Sequence, residues 1–143
     1  MLQAIDLHKK YKNKEVVRQI NMKLEAGESV GLLGPNGAGK STTISMLSSL
    51  IMPTSGEVLW NEQSINKYPE ALRKVLGVVP QEIALYPELS AKENLHFFGR
   101  VYGLKGETLA KRTEEVLEKI GLTERQSDIV KTFSGGMKRR LNI

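Results

Sequence analysis

Between a strand-like apolar run and a helix-like stretch, the sequence carries GLLGPNGAGKST, Gly31 to Thr42, a Gly-rich turn closed by a lysine and two hydroxyls. Gly34, Gly37 and Gly39 admit backbone conformations closed to residues with a Cβ, so successive N–H groups can turn inward around an anion. Lys40 adds a flexible point charge suited to the β- and γ-phosphates of a nucleotide. Ser41 adds a hydroxyl for a magnesium ion at the start of a helix whose dipole favours negative charge, and Thr42 one more donor. Upstream, Ser29 to Leu33 has the length and composition of a buried strand. Downstream, Ser41 to Leu50 sets Ile44, Leu47 and Ser48 at helical spacing. That order predicts a phosphate-binding loop made of Gly34, Pro35, Asn36, Gly37, Ala38, Gly39, Lys40, Ser41 and Thr42. Such a loop does not by itself name a function.

The 143 residues, 40% of them hydrophobic, have the length of one domain and enough apolar content for a core. The absence of cysteine excludes a disulfide framework and a thiolate metal site, and fits a reducing cytosol. No run approaches the ~18 apolar residues of a membrane span, and the N-terminus lacks the apolar core of a signal peptide, so a soluble chain is expected. Lys plus Arg exceed Asp plus Glu by 21 to 16, for a net charge of +5. The excess lies near the two ends, at Lys9, Lys10, Lys12 and Lys14 and again at Lys138, Arg139 and Arg140. One Trp, four Tyr and three Phe do not interleave with these charges as a stacking platform, so no nucleic-acid partner is expected. Most of the charges read as solvated surface.

Leu2 to Leu7 and Val16 to Leu24 read as an antiparallel strand pair across the polar KKYKNKE turn. Pro53 to Gly56 marks a turn before a further antiparallel strand, Glu57 to Asn61. A short helix from about Pro69 to Lys74 precedes Leu76 to Val79, an apolar run of buried-strand type. After Gln81 helical patterns take over. Ser90 to Glu93 is a capping box opening a helix to about Tyr102, with Leu95, Phe98 and Val101 as its apolar stripe. A second helix, about Glu107 to Ile120, carries Leu109, Val116, Leu117 and Ile120 on one face and a Glu115–Lys119 pair on the other. Thr123 to Gln126 reads as another capping box, and Ser134 as the start of a last helix.

Tyr11, the phosphate loop, Gln81 in GVVPQE and the run Phe133-Ser134-Gly135-Gly136-Met137 stand in an order that resembles the ATP-binding cassette (ABC) family, the motor domains of ABC transporters. The resemblance spans the chain. It implies an α/β fold, a P-loop core with an antiparallel β subdomain and a helical subdomain. Residues 1–81 would form the β and phosphate-loop part, and 82–143 the glutamine loop and helical subdomain. It implies ATP and Mg2+ as ligands. Tyr11 would stack on adenine, Gln81 would touch the magnesium shell with its loop facing the membrane partner, and Lys40 and Gln81 would be the catalytic pair. Ser134, Gly135 and Gly136 would bind the γ-phosphate held by the other cassette of a homo- or heterodimer. Each has a plainer reading: a tyrosine filling a hairpin face, a glutamine after a strand, a Ser-Gly-Gly loop before a helix.

Phe133 and Met137 replace the leucine and glutamine of the commonest signature, and Met137 cannot make an amide hydrogen bond. The form FSGGMKRRL resembles the branch of drug, antibiotic and lipid exporters whose ATPase is often a separate polypeptide. His8 and His96 have no partner spacing for a metal and read as solvent-facing. The family's next strand, ending in an aspartate and a glutamate, and its switch histidine have no match in this sequence. The expectation is therefore an ATPase subunit of an exporter, cut after its signature, peripheral on the cytoplasmic face through a transmembrane permease subunit. The chain as it stands is expected to be inactive, with Ser29 to Leu33 short of a neighbouring strand. Rival expectations are a soluble cassette protein acting on ribosomes or nucleic acid, and a nucleotide-binding fragment without catalysis.

Overall fold

A two-residue turn at Lys12 and Asn13 brings the first strands together. β1 (Leu2–Tyr11) pairs antiparallel with β2 (Lys14–Leu24), from Leu2 opposite Leu24 to Tyr11 opposite Lys14. β3 (Ser55–Trp60) pairs antiparallel with the other edge of β1, and the two-residue β4 (Gln63–Ser64) closes the sheet in the order β2-β1-β3-β4. The structure is a computed structural model describing residues 1–143, and it divides into two units, Met1–Val78 and Val79–Ile143.

In the first unit, Ala4 and Leu7 are both buried although strict alternation would send residues three apart to opposite faces. A bulge resets the phase: Asp6 takes φ 45, donates its N–H to Asn21 Oδ1 at 2.8 Å and accepts from Asn21 Nδ2 at 2.8 Å. Ala4, Leu7, Val17 and Val58 of the sheet then meet Ile65, Met46 of α1 (Lys40–Leu47) and Leu72 of α2 (Pro69–Arg73) in one apolar cluster. Of the expected inward face of α1, Leu47 packs against this cluster and Ser48 is buried, but Ile44 is not part of it. Thr43 and Met46 are buried, with Ser48 just beyond the helix, whereas Ile44 is 49% exposed. Thr43 tolerates burial because its hydroxyl donates to the Gly39 carbonyl at 3.0 Å.

Ser29 to Leu33 and Leu76 to Val79 do not form strands. A buried strand is defined by ladder partners, and none of the 143 residues supplies one for either segment, so Leu33 is 95% exposed and Val78 and Val79 are exposed as well. His8 is also not free in solvent, since its Nε2 pairs with the Glu15 carboxylate, which in turn holds Arg18 at 2.6 Å.

The second unit is helical: α3 (Ala91–Val101), α4 (Gly106–Lys119) and α5 (Gly135–Leu141), with 3-10 turns at Thr123–Arg125 and Val130–Thr132. Its core is Ala91, Leu117, Leu122, Val130, Phe133 and Leu141. The capping box of α3 is present: Glu93 N–H donates to Ser90 Oγ at 3.2 Å and Ser90 N–H donates to Glu93 Oε2 at 2.8 Å. Of the expected α3 stripe, Leu95 packs against the core and Phe98 is half-buried, but Val101 departs. Val101 is 66% exposed, and the inward positions are Ala91, the fully buried Asn94 and the half-buried Leu95. Asn94 is affordable there because its amide accepts from Tyr86 N–H at 2.8 Å and donates to the carbonyls of Tyr86 and Ser90 at 3.0 Å each. On α4, Leu109, Thr113 and Leu117 are buried. Glu115 takes Arg112 at 2.8 Å rather than Lys119, and this bond holds its carboxyl below the ordinary glutamate value. Thr123 to Gln126 is not a capping box either: Leu122 occupies the cap position and is buried in the core, so Thr123 already lies inside the turn. His96 is half-buried with its Nε2 sequestered and unpaired.

Ser90→Ala is expected to lower stability by about 1 kcal/mol, the usual worth of a cap, in urea unfolding. The bonds from Ser90 hold Glu93 below its ordinary value of 4.5. A depressed carboxylate stabilises fully above its unfolded pKa, and that contribution disappears as the pH falls through the lower folded value. The stability gap between the protein and its Glu93→Gln variant should therefore be complete at neutral pH and close in acid below 4.5.

Candidate functional site

The loop from Gly34 to Lys40 is set by a close approach to β2. Gly39, at φ 85, is the residue before α1, and a Cβ there would be driven into the Val16 carbonyl oxygen and come within 3.1 Å of Val17 Cγ2. Only glycine satisfies both the positive φ and the contact. From that anchor the chain enters the helix, with Thr43 N–H donating to the Gly39 carbonyl at 2.8 Å. Gly37, also at positive φ, turns the crest, and Ala38 N–H donates to the Pro35 carbonyl at 3.2 Å.

Lys40 folds back across this loop. Its Nζ donates to the carbonyls of Gly34 at 2.7 Å and Pro35 at 2.8 Å. Both partners are neutral, so no carboxylate neutralises the charge in these bonds, and one of the three ammonium N–H donors is left over. Ser41 is exposed and Thr42 half-buried in the first turn of α1, where N–H groups have no intrahelical acceptors. A glycine-rich turn at positive φ, a cation paired only with neutral carbonyls and a hydroxyl on a helix start fit a polyphosphate with a magnesium ion.

Tyr11 ends β1 opposite Lys14, two residues before Val16, which places it about 7 Å along the strand from the loop's anchor at ~3.3 Å per residue. The residue is 48% exposed, and Lys9 Nζ sits 5.2 Å from the ring centroid. Pairing of β1 with β2 therefore brings Tyr11 and the loop to one end of the first unit. The structure leaves a ring beside the loop available for stacking.

Gln81 and the Ser134–Gly136 run lie in the second unit. Ser134 caps α5, its Oγ accepting from Met137 N–H at 3.3 Å. Gly135 and Gly136 are exposed, and a Cβ on either would meet nothing within 4 Å. Phe133 and Met137, the two departures from the commonest signature, both pack into the core, with the Arg125 guanidinium 5.8 Å from the Phe133 ring. Gln81 is exposed, and its carbonyl accepts from Arg139 Nη1 at 3.0 Å. Arg139 thus departs from the reading of Lys138, Arg139 and Arg140 as plain helix surface. Sequence reasoning also missed Val16, Thr43 and Asn94, of which only the proximity of Thr43 to the glycines gave any signal.

The family model described as ABC transporter matches residues 17–143. The chain is 54% identical over all of its length to the linearmycin resistance ATP-binding protein LnrL of Bacillus subtilis (strain 168), covering 46% of that protein. It is 40% identical over all of its length to the Nod factor export ATP-binding protein I of Cupriavidus metallidurans, covering 47% of it. The chain thus spans just under half the length of these relatives. Among solved structures, the ATP-binding cassette MJ0796, a dimer in a post-hydrolysis state bound to ADP and Pi, matches 99% of this chain and 67% of its own, with a TM-score of 0.82 at 28% identity. An ATP-binding subunit of an ABC transporter matches 99% of this chain and 59% of its own, with a TM-score of 0.81 at 32% identity.

Gly39→Ala should destabilise the first unit by about 1–3 kcal/mol, from the strained φ and the clash with β2, and should weaken Mg-ATP in calorimetry more than it lowers the unfolding midpoint. Tyr11→Ala should weaken ATP about tenfold while Tyr11→Phe leaves it unchanged, because stacking needs the ring and not the hydroxyl. Equal loss in both would mark a structural hydroxyl.

Proposed function

The chain belongs to the ABC transporter family, and we propose that it is the phosphate-holding and signature-bearing part of an exporter-type ATPase subunit that drives a separate transmembrane partner. The observation that carries this is Lys40 held across the loop on two neutral carbonyls, with Gly39 seated on β2 so that the following helix starts at the loop. The lean to export rests on similarity to proteins named for linearmycin resistance and Nod factor export. No helix is long and apolar enough to cross a membrane.

In this reading the amides of Gly37 to Ser41 and the Lys40 ammonium take up the charge of the phosphates, and Tyr11 orients the base. Ser41 and Gln81 would hold Mg2+, whose charge offsets the charge that develops as the phosphoryl group is transferred. Ser134, Gly135 and Gly136 would act on the nucleotide of a second cassette, in keeping with the dimer of the cassette MJ0796. ATP hydrolysis, peripheral attachment at the cytoplasmic face and the homo- or heterodimer belong to the same proposal.

Phosphoryl transfer needs a group that positions the attacking water, and no carboxylate of these 143 residues matches the acidic strand end of the family. The 143-residue chain is expected to bind Mg-ATP weakly and to release phosphate no faster than its Lys40→Ala control. In the full-length protein Lys40→Ala should abolish Mg-ATP binding in calorimetry. An unchanged dissociation constant would overturn the assignment of the loop.

A further inference from the structure

The backbone from Val79 to Leu85 makes no backbone–backbone hydrogen bond of its own. What ties it down comes from α5: Arg139 Nη1 donates to the carbonyls of Pro80 at 3.3 Å and Gln81 at 3.0 Å, and Asn142 Oδ1 accepts from Ala84 N–H at 2.8 Å. These bonds span 58 to 59 residues of sequence. Arg139 and Asn142 are three apart and so share one face of α5 and its end. The Asn142 Nδ2 is buried without a partner, so the Ala84 bond is the one hydrogen bond that this amide makes. One helix therefore presents Ser134 at its start and grips the Gln81 segment from its last turn.

We propose that Arg139 is a positioning residue for Gln81: its guanidinium, with Asn142 beside it, fixes the backbone from which the Gln81 amide reaches. This rests on the reading of Gln81 as a residue that acts on the bound nucleotide's magnesium. The guanidinium suits the task because its planar, permanently charged fork is preorganised and loses less side-chain freedom per bond formed than a lysine does. A segment with no ladder of its own is otherwise free to swing, and misplacing a contacting group by about 1 Å costs rate rather than ground-state affinity.

The test is a mutant cycle in the full-length protein, reading kcat for Mg-ATP, nucleotide Kd and thermal midpoint for Gln81→Ala, Arg139→Met, their double mutant and Arg139→Lys. Arg139→Met keeps the aliphatic stem and removes the donors. It should lower kcat about tenfold with Kd within about twofold. The double mutant should be no slower than Gln81→Ala alone, and Arg139→Lys, which keeps the charge and N–H donors without the planar fork, should recover most of the rate. An unchanged kcat in Arg139→Met, losses that multiply in the double mutant, or a Kd and midpoint that fall together with kcat would overturn the positioning role and leave the Gln81 reading standing. A silent Gln81→Ala would overturn that reading, and the inference with it. Should Arg139→Met not fold, faster amide exchange at Ala84 in Asn142→Leu, which lacks the acceptor, than in the unaltered protein, with kcat lowered and Kd kept, supports the grip of α5 on this segment, and unchanged exchange and rate overturn it.

Discussion

The contact of Gly39 with the Val16 carbonyl is the constraint on which the first unit's chemistry depends. It seats the phosphate loop on a strand that is itself held by the β1 pairing, so the loop inherits the rigidity of a sheet rather than the freedom of a surface turn. The helix that follows is short and gains its place through Met46 in the core and the paired bonds from Thr43 to the Gly39 carbonyl. Preorganisation of this kind is what lets backbone dipoles act on an anion without first reordering. Lys40 fits the same logic, because two carbonyls hold its ammonium over the loop at the cost of no neutralising charge.

The second unit solves a different problem: how to keep an irregular segment in place without a ladder. Asn94 does this for the backbone at Tyr86 and Ser90, and Arg139 with Asn142 does it for Pro80 to Ala84. In both cases a side chain on a helix replaces the neighbouring strand that would have satisfied the backbone. Phe133 and Met137 show the same economy in the signature, where packing occupies positions that a leucine and a glutamine hold in the commonest form.

Local chemistry was readable in the sequence wherever one short motif determines it. The three strands, the capping box at Ser90 and Glu93, the cap at Ser134 and the loop that precedes α1 follow from turn residues, periodicity and glycine placement. What periodicity missed depended on partners far away in sequence. Ser29 to Leu33 and Leu76 to Val79 look like strands because they are apolar, but a ladder is a property of two chains side by side. The bulge at Asp6 depends on Asn21, the burial of Asn94 on Tyr86, and the role of Arg139 on two carbonyls 58 and 59 residues away. For α1 the apolar spacing held at Leu47 and Ser48 and misled at Ile44, because Thr43 satisfies its hydroxyl on the preceding turn and can face inward.

The most direct measurement of the central claim is the amide shift of each residue of the loop during titration with Mg-ADP. If the Gly-rich turn cradles phosphate through its backbone, the N–H signals of Gly37, Ala38, Gly39, Lys40 and Ser41 should move downfield together and saturate, with that of Tyr11 following through ring stacking and those of β3 unmoved. Saturating shifts that leave Gly37 to Ser41 in place, or shifts spread evenly over the lysine-rich surface without saturation, would contradict it.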